Sequence, residues 1–258
     1  MMKNFNFERE FKFWFYQISH SEVIIRSPKN EDDMLYNNID IYIGAVDYLE
    51  IPFQFNGLRI KEATQEDVDY ISLRLGKSVP EKEIIVLISE NKKYYIVASV
   101  FKILENDLNE DVIPLYYSTG GKVEPENSIQ KIDKKEINRY DREYKFWSYE
   151  VFPQKAVIRA PIFDLKRNEN TIEIIISNVK YLEIPWIIYS LTIEETTDED
   201  VRYINKRLGE NIPRSEILVI LSKDIRYYIV AGSIEFIKSN LEHYQSFMEP
   251  SIKSVYDK

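Results

Sequence analysis

The 258-residue chain has no cysteine, two histidines and seven glycines. Without cysteine, disulfide frameworks, thiolate metal sites and cysteine nucleophiles are excluded. His20 is expected in a turn and His243 in the C-terminal tail, so neither a histidine-dependent catalytic site nor a zinc site is expected. Gly120-Gly121-Lys122 is not followed by the Ser or Thr of a phosphate-binding loop. We therefore expect no enzymatic activity, no cofactor and no metal ion.

The chain also lacks long apolar runs and a surplus of positive charge. No run approaches the roughly 20 apolar residues that a membrane-spanning helix needs, and the first residues do not form the apolar core of a signal peptide. The formal net charge is −9, whereas nucleic-acid-binding proteins normally carry a basic face. These absences predict a cytoplasmic protein that binds neither nucleic acid nor membrane.

What the sequence does contain is one segment that occurs twice. Residues 11–104 align without a gap onto residues 144–237, with 39 identical pairs among 94 positions. The clearest match is Tyr48-Leu49-Glu50-Ile51-Pro52, which returns 133 positions later as Tyr181-Leu182-Glu183-Ile184-Pro185. Such self-similarity predicts a tandem duplication of one small domain. The expected organisation is a first copy at 11–104, a connector at 105–143, a second copy at 144–237 and a tail at 238–258.

Within each copy, the residue pattern predicts mostly strands and one helix. Aromatic and alternating apolar runs are typical of strands. Thr64 and Asp67 have the spacing of a capping box, and Gly76 is a typical helix stop, which predicts a helix at about 65–75 and a second at 198–208. The order β-β-β-β-α-β-β indicates an α+β class with an antiparallel sheet. The following residues are expected to be buried, with their counterparts 133 positions later: Trp14, Tyr48, Leu49, Val68, Ile71, Leu75, Ile84, Val86 and Ile96.

Four recurring arginines are candidates either for structure or for a ligand site. Arg26 and Arg159 lie at strand ends near a proline, and Arg74 and Arg207 lie in the last helical turn. Recurrence in both copies favours structural ion pairs. The alternative is that Arg26 and Arg159 bind a small anionic ligand between the copies.

The positions at which the copies differ point to a surface that the shared fold does not require. The second copy has apolar or aromatic side chains where the first has mostly polar or smaller ones. Such residues either pack the copies together or form a partner-binding patch, because interface cores favour aromatic residues. These residues are Phe152, Phe163, Trp186, Ile187 and Tyr189.

The function expected from these features is non-enzymatic binding of another protein. Small, acidic, tyrosine-rich proteins without catalytic residues include inhibitors and toxin-neutralising immunity proteins, although this analogy rests on composition. The acidic start of the connector, Asp107, Glu110 and Asp111, would steer a basic partner. The alternative function is a small anionic-ligand-binding protein or a carboxylate-dependent enzyme with a site between the copies.

Overall fold

The chain folds as a mostly antiparallel sheet with few helices, as the α+β expectation requires in outline. The structure is a computed structural model, and it describes the following residues: 4–18, 21–109, 112–113, 130–151, 154–160, 170–239 and 253–254. No helix in these ranges has the length and apolar composition needed to cross a membrane.

The elements of the first half follow the predicted order, and α1 has the predicted bounds. They are β1 (Phe5–Gln17), β2 (Glu22–Ser27), β3 (Asn38–Pro52), β4 (Gln54–Glu62), α1 (Gln65–Leu75), β5 (Ile84–Ser89) and β6 (Lys92–Asn106).

The connector contributes short elements, and the second half then repeats the same order with its fourth strand divided in two. The connector elements are β7 (Val112–Ile113), β8 (Gln130–Lys131) and α2 (Lys134–Ile137). The later elements are β9 (Glu143–Glu150), β10 (Lys155–Ala160), β11 (Thr171–Pro185), β12 (Ile187–Tyr189), β13 (Thr192–Glu194), α3 (Asp198–Leu208), β14 (Ile217–Ser222), β15 (Ile225–Ser239) and β16 (Lys253–Ser254).

Strand pairing in the first half closes a ring of six strands. The pairs run β1–β2, β2–β3, β3–β6, β6–β5, β5–β4 and back from β4 to β1, all antiparallel. In the second half β9, β10, β11, β15, β14 and β13 pair in the same succession, and β12 pairs with β9. The two halves join through β1–β9 and β3–β11, so all these strands belong to one continuous sheet.

Local sequence explains where the two long helices begin and end. The Thr64 side chain caps the backbone N–H of Asp67, and the Asp67 carboxylate accepts from the backbone N–H of Thr64 at 2.9 Å. Gly76 then ends α1 with φ of 62°, a left-handed conformation that glycine adopts without steric cost. Helix α3 has the same capping box between Thr197 and Asp200.

A bulge lies in the middle of β3, next to Gly44. Ala45 has φ of 54°, and the register of β3 against β6 shifts between Val46 and Tyr48. Strand β11 has the same feature, with Asn178 at φ of 56°. Bulges bend a strand and increase its twist, which allows one edge of β3 to pair with β2 before the bulge and with β11 after it.

Several sequence expectations need correction. Strand β1 begins at Phe5 rather than at residue 11, because its first residues pair with β4. The charged end of the connector forms the single helical turn α2, and β15 continues to Ser239. Most of the expected core is buried. The following expected core residues are only half-buried: Val68, Leu75, Trp147, Val201 and Leu208.

Candidate functional site: the junction between the two segments

The junction forms where the repeated stretch pairs with itself. Residues 48–52 of β3 lie antiparallel to residues 181–185 of β11, and Glu50 is directly opposite Glu183. Both glutamates are fully buried. Two like charges opposite each other in a sheet are destabilising unless other groups compensate them, so the junction depends on the side chains that surround this pair.

Two arginines compensate the charges of these glutamates, and each arginine belongs to the opposite segment. We call these contacts the exchanged ion pairs. Arg74, in the last turn of α1, forms an ion pair with Glu183 of β11. Arg207, in the last turn of α3, forms the equivalent ion pair with Glu50 of β3. Each helix therefore forms an ion pair with the other segment. In this structure the recurring arginines of the helix ends take part in structural ion pairs.

Tyrosine hydroxyls complete the solvation of the two carboxylates. Tyr48 and Tyr70 donate to Glu50 Oε2 at 3.1 and 3.0 Å, and Tyr181 and Tyr203 donate to Glu183 Oε2 at the same distances. Burial raises the pKa of Tyr48 and Tyr181 well above the usual value, so both remain neutral donors.

The helix ends make further contacts across the junction. The Arg74 guanidinium donates to the backbone oxygen of Arg226 at 2.5 Å, and the Tyr227 hydroxyl donates to the backbone oxygen of Arg74 at 3.2 Å. On the other side, Lys92 Nζ donates to the backbone oxygen of Leu208 at 2.5 Å. Carbonyls at a helix C-terminus lack partners within the helix, so the contacts from Tyr227 and Lys92 satisfy them with groups of the other segment.

An open cavity of about 220 Å³ lies beside the end of α1. Three of the predicted partner-binding residues, Trp186, Ile187 and Tyr189, contribute to its lining. Tyr189 is 42% exposed, and Trp186 and Ile187 are half-buried. The charged residues of its lining are Asp47, Lys77 and Lys223. We call the surface formed by the following residues of its lining the junction cleft: Leu75, Trp186, Ile187, Tyr189, Ile225 and Tyr227.

Trp186 belongs both to the junction and to the cleft. Its backbone N–H donates to the backbone oxygen of Asp47 at 2.8 Å, and its backbone oxygen accepts from the N–H of Phe146 at 3.1 Å. Its ring packs against the main core, with Lys145 Nζ 5.8 Å from the ring centroid. The backbone thus joins the segments, while the side chain remains part of a solvent-accessible wall.

Arg26 and Arg159 lie inside their own segments. Arg26 is fully buried and donates to both carboxylate oxygens of Asp40, at 2.6 and 2.8 Å. Arg159 is also fully buried and lies 3.3 Å from the carboxylate of Glu173. Both guanidiniums are therefore paired with a carboxylate of a neighbouring strand, and the anionic-ligand interpretation of these two residues stays a prediction.

Burial also affects the Glu173 carboxyl. Loss of solvation raises the pKa of Glu173 to about 7, and the nearby positive charge of Arg159 opposes that shift.

Some of the predicted site residues lie outside the ranges that the structure describes. Asp107 is described and exposed, and its backbone oxygen accepts from Lys29 Nζ at 2.7 Å. The following predicted or considered residues lie outside the described ranges: Phe152, Phe163, Glu110, Asp111, His20 and His243.

The sequence reasoning did not single out Glu50 and Glu183 as junction residues. A signal was present, because each is a charged residue inside a recurring run of apolar and aromatic side chains. A charge kept at such a position requires a buried partner. Ile225 was also missed, although it differs from its counterpart Lys92 in the same way as the cleft residues that were noticed.

No family model, no curated protein and no solved structure matches this chain. Within the described ranges, no group of three or more His, Asp or Glu side chains is placed to hold a metal ion. The geometry of the junction is therefore the basis for assigning a function.

Proposed function

We propose that this chain is a non-enzymatic cytoplasmic protein-binding module that arose by tandem duplication, and that it recognises its partner through the junction cleft. Duplication is supported by the bounds of β2, β3, α1, β5 and β6, which return 133 positions later in β10, β11, α3, β14 and β15. The equivalent capping boxes and exchanged ion pairs support it further.

The observation that carries the binding proposal is the difference between the cleft and its counterpart. At the positions of Trp186, Ile187, Tyr189 and Ile225 the first segment has other residues, and three of these are polar. The counterparts are Phe53, Gln54, Asn56 and Lys92.

Those polar side chains are engaged with neighbours. Gln54 donates to Glu10 at 2.6 Å, Asn56 donates to Glu90 at 2.8 Å, and Lys92 donates to a helix carbonyl. One fold thus accommodates both surfaces, so the aromatic surface of the second segment is not required for folding. Tyr189 is exposed, and Trp186, Ile187 and Ile225 are half-buried. Apolar patches that reach the surface typically mark binding sites.

The partner that fits is a basic protein that presents an apolar anchor side chain. A cavity of about 220 Å³ suits the insertion of one large side chain of a partner rather than a complete small molecule. The net charge of −9 attracts a basic partner and increases the association rate more than the affinity. Asp107, which is exposed, adds to this field, and Glu110 and Asp111 remain predicted contributors. Neutralisation of a basic toxin or inhibition of a basic enzyme would use such a surface.

The test replaces the cleft by the residues of the first segment. The variant Trp186→Phe, Ile187→Gln, Tyr189→Asn, Ile225→Lys should retain the unfolding temperature within a few degrees but lose partner capture. The matched control exchanges the first segment instead, with Phe53→Trp, Gln54→Ile, Asn56→Tyr and Lys92→Ile, and should retain capture. Capture is measured quantitatively with the full chain as bait. The captured protein is then titrated into each purified variant, and the Trp fluorescence of the mixture is followed to obtain the Kd.

Two results would overturn the proposal. One is equal capture by the wild-type chain and the cleft variant. The other is a captured protein whose affinity changes equally in the cleft variant and in the matched control.

A further inference from the structure

A second cavity, of about 560 Å³, lies along α3 on the other side of the end of α1. Alternate residues of β15 contribute to the two cavities, since Arg226 and Tyr228 line this one while Ile225 and Tyr227 line the junction cleft. Four cationic side chains line the second cavity: Arg74, Arg202, Lys206 and Arg226. We call the surface that they line the cationic groove.

Two of these cations are already committed within the protein. Arg74 is paired with Glu183. Arg226 donates to both oxygens of Asp200 at 3.0 and 2.9 Å and also forms an ion pair with Glu194. These pairs leave no unpaired positive charge on the floor of the groove and hold the two guanidiniums in place.

The other two cations are available to a ligand. Arg202 and Lys206 are exposed, and neither forms a hydrogen bond or ion pair with any residue that the structure describes. They occupy positions i and i+4 of α3, so they lie on the same helix face, with their Cβ atoms about 6 Å apart. Glu199 is the remaining exposed charge of the groove.

The equivalent surface of the first segment has the opposite charge. Arg202 corresponds to Asp69, Lys206 to Leu73, and Glu199 to Glu66. Arg202, Lys206 and Glu199 together carry a net charge of +1, whereas their counterparts Asp69, Leu73 and Glu66 carry −2. Because α1 and α3 have the same length and the same caps, helix formation does not require this difference.

We propose that the cationic groove binds a small ligand with two oxyanion groups, as in a diphosphate or a dicarboxylate. Two uncommitted cations on one helix face are neutralised together by a ligand with two anionic groups. The Arg202 guanidinium supplies the planar donor pair that phosphate and carboxylate accept in bidentate fashion, and Lys206 supplies a point charge. The volume lies within the range of small-molecule sites. The site is separate from the junction cleft and does not depend on the protein partner.

The experiment titrates the full chain with pyrophosphate, malonate and inorganic phosphate by calorimetry at low ionic strength. Pyrophosphate and malonate each carry two anionic groups, and we expect at least one of them to saturate one site per chain. Inorganic phosphate has a single anionic group and should bind about tenfold more weakly, because it engages one cation rather than two. Binding of pyrophosphate alone would identify a phosphoryl ligand, and binding of malonate alone a carboxylate ligand. Failure of both probes to saturate a site would overturn the proposal.

The site is assigned with variants that borrow residues from the first segment. Arg202→Asp with Lys206→Leu should raise the Kd of the bound probe about tenfold or more. The control Lys61→Asp with Lys82→Leu makes the same change in net charge at two other exposed positions and should leave the Kd nearly unchanged. If the first variant unfolds, Arg202→Gln with Lys206→Gln provides the same test. Equal weakening in the variant and in the control would overturn the assignment to this groove.

Discussion

The two helix ends at the junction occupy equivalent positions but meet different chemistry. At the end of α3, Lys92 of the first segment reaches the Leu208 carbonyl at 2.5 Å, a favourable place for a cation at a helix C-terminus. At the end of α1, the equivalent position is Ile225, whose Cδ1 lies 3.2 Å from where a Cβ at Gly76 would be.

The difference shows that the ion pairs of the junction and its surface chemistry are separable. Both helix ends have the Arg–Glu ion pair, while a lysine donates to a helix carbonyl only at the end of α3. At the end of α1 the donor to a helix carbonyl is the Tyr227 hydroxyl. We therefore expect the ion pairs to stabilise the fold, and the contacts at the helix ends to be replaceable by side chains that bind a partner. Four predictions test this separation, from the largest expected effect to the smallest.

The largest effect should come from breaking either exchanged ion pair. Arg74→Leu and Arg207→Leu should each reduce the free energy of unfolding by about 3–5 kcal/mol, because each leaves a buried glutamate without its cation. Urea denaturation measures the loss, and the two values should be similar, since the pairs are equivalent. Arg74→Leu combined with Glu183→Leu should cost less than Arg74→Leu alone. A loss below about 1 kcal/mol, typical of surface pairs, would show that the pair is not structural.

The next effect concerns the apolar stripe of each helix. Ile71 and Ile204 are fully buried, so truncation of either to Ala should cost about 3 kcal/mol. Leu75 and Leu208 are only half-buried, so their truncation should cost about 1–2 kcal/mol, in proportion to the smaller apolar area removed from contact. Chemical denaturation of the four variants checks the order. Larger losses at the leucines than at the isoleucines would contradict the packing described above.

The third effect depends on pH and on the helix caps. Burial alone would raise the pKa of Asp67, but hydrogen bonds from Lys93, Thr64 and Tyr95 outweigh it and lower that pKa to about 2. A carboxyl with a lowered folded-state pKa stabilises the protein above its unfolded-state value, near 4, and this stabilisation is lost as the pH falls towards 2.

Asp67→Asn should therefore cost about 2 kcal/mol at neutral pH, the usual contribution of hydrogen bonds to a charged group, and should flatten the pH dependence of stability between about pH 4 and pH 2. Thermal unfolding across this range measures both. Asp200 has the same capping role and a lowered pKa, so Asp200→Asn serves as the matched variant. An unchanged acid profile in both variants would contradict the assignment.

The smallest effect should come from exchanging the two helix-end contacts. Lys92→Ile removes a cation from the end of α3, and Ile225→Lys adds one at the end of α1. Each change should alter the free energy of unfolding by less than about 1 kcal/mol, the usual size of a helix-terminus charge effect. Only Ile225→Lys should weaken partner binding. A large loss of stability in either variant would show that the surface chemistry and the fold are coupled after all.

Much of the fold was predictable because its signals are local. The bounds of α1 and α3 follow from caps and stops within a few residues of each helix end. The strand order of each segment follows from alternation and turn residues. The half-burial of Leu75 and Leu208 was not predictable in this way, because helical spacing indicates which face is apolar but not how completely another element covers it.

For the candidate site, the sequence alone determined that a segment recurs and that its second occurrence adds apolar side chains such as Trp186. Only the tertiary structure decided that residues 48–52 pair with residues 181–185, that Arg74 reaches Glu183 rather than a carboxylate of its own segment, and that Trp186 and Ile225 line one cleft. The physical reason is that a strand edge can pair with any compatible edge, so the choice depends on which edges remain unpaired once the local hairpins have formed. Recurrence in the sequence identifies equivalent residues, but contacts between the two segments depend on that long-range pairing.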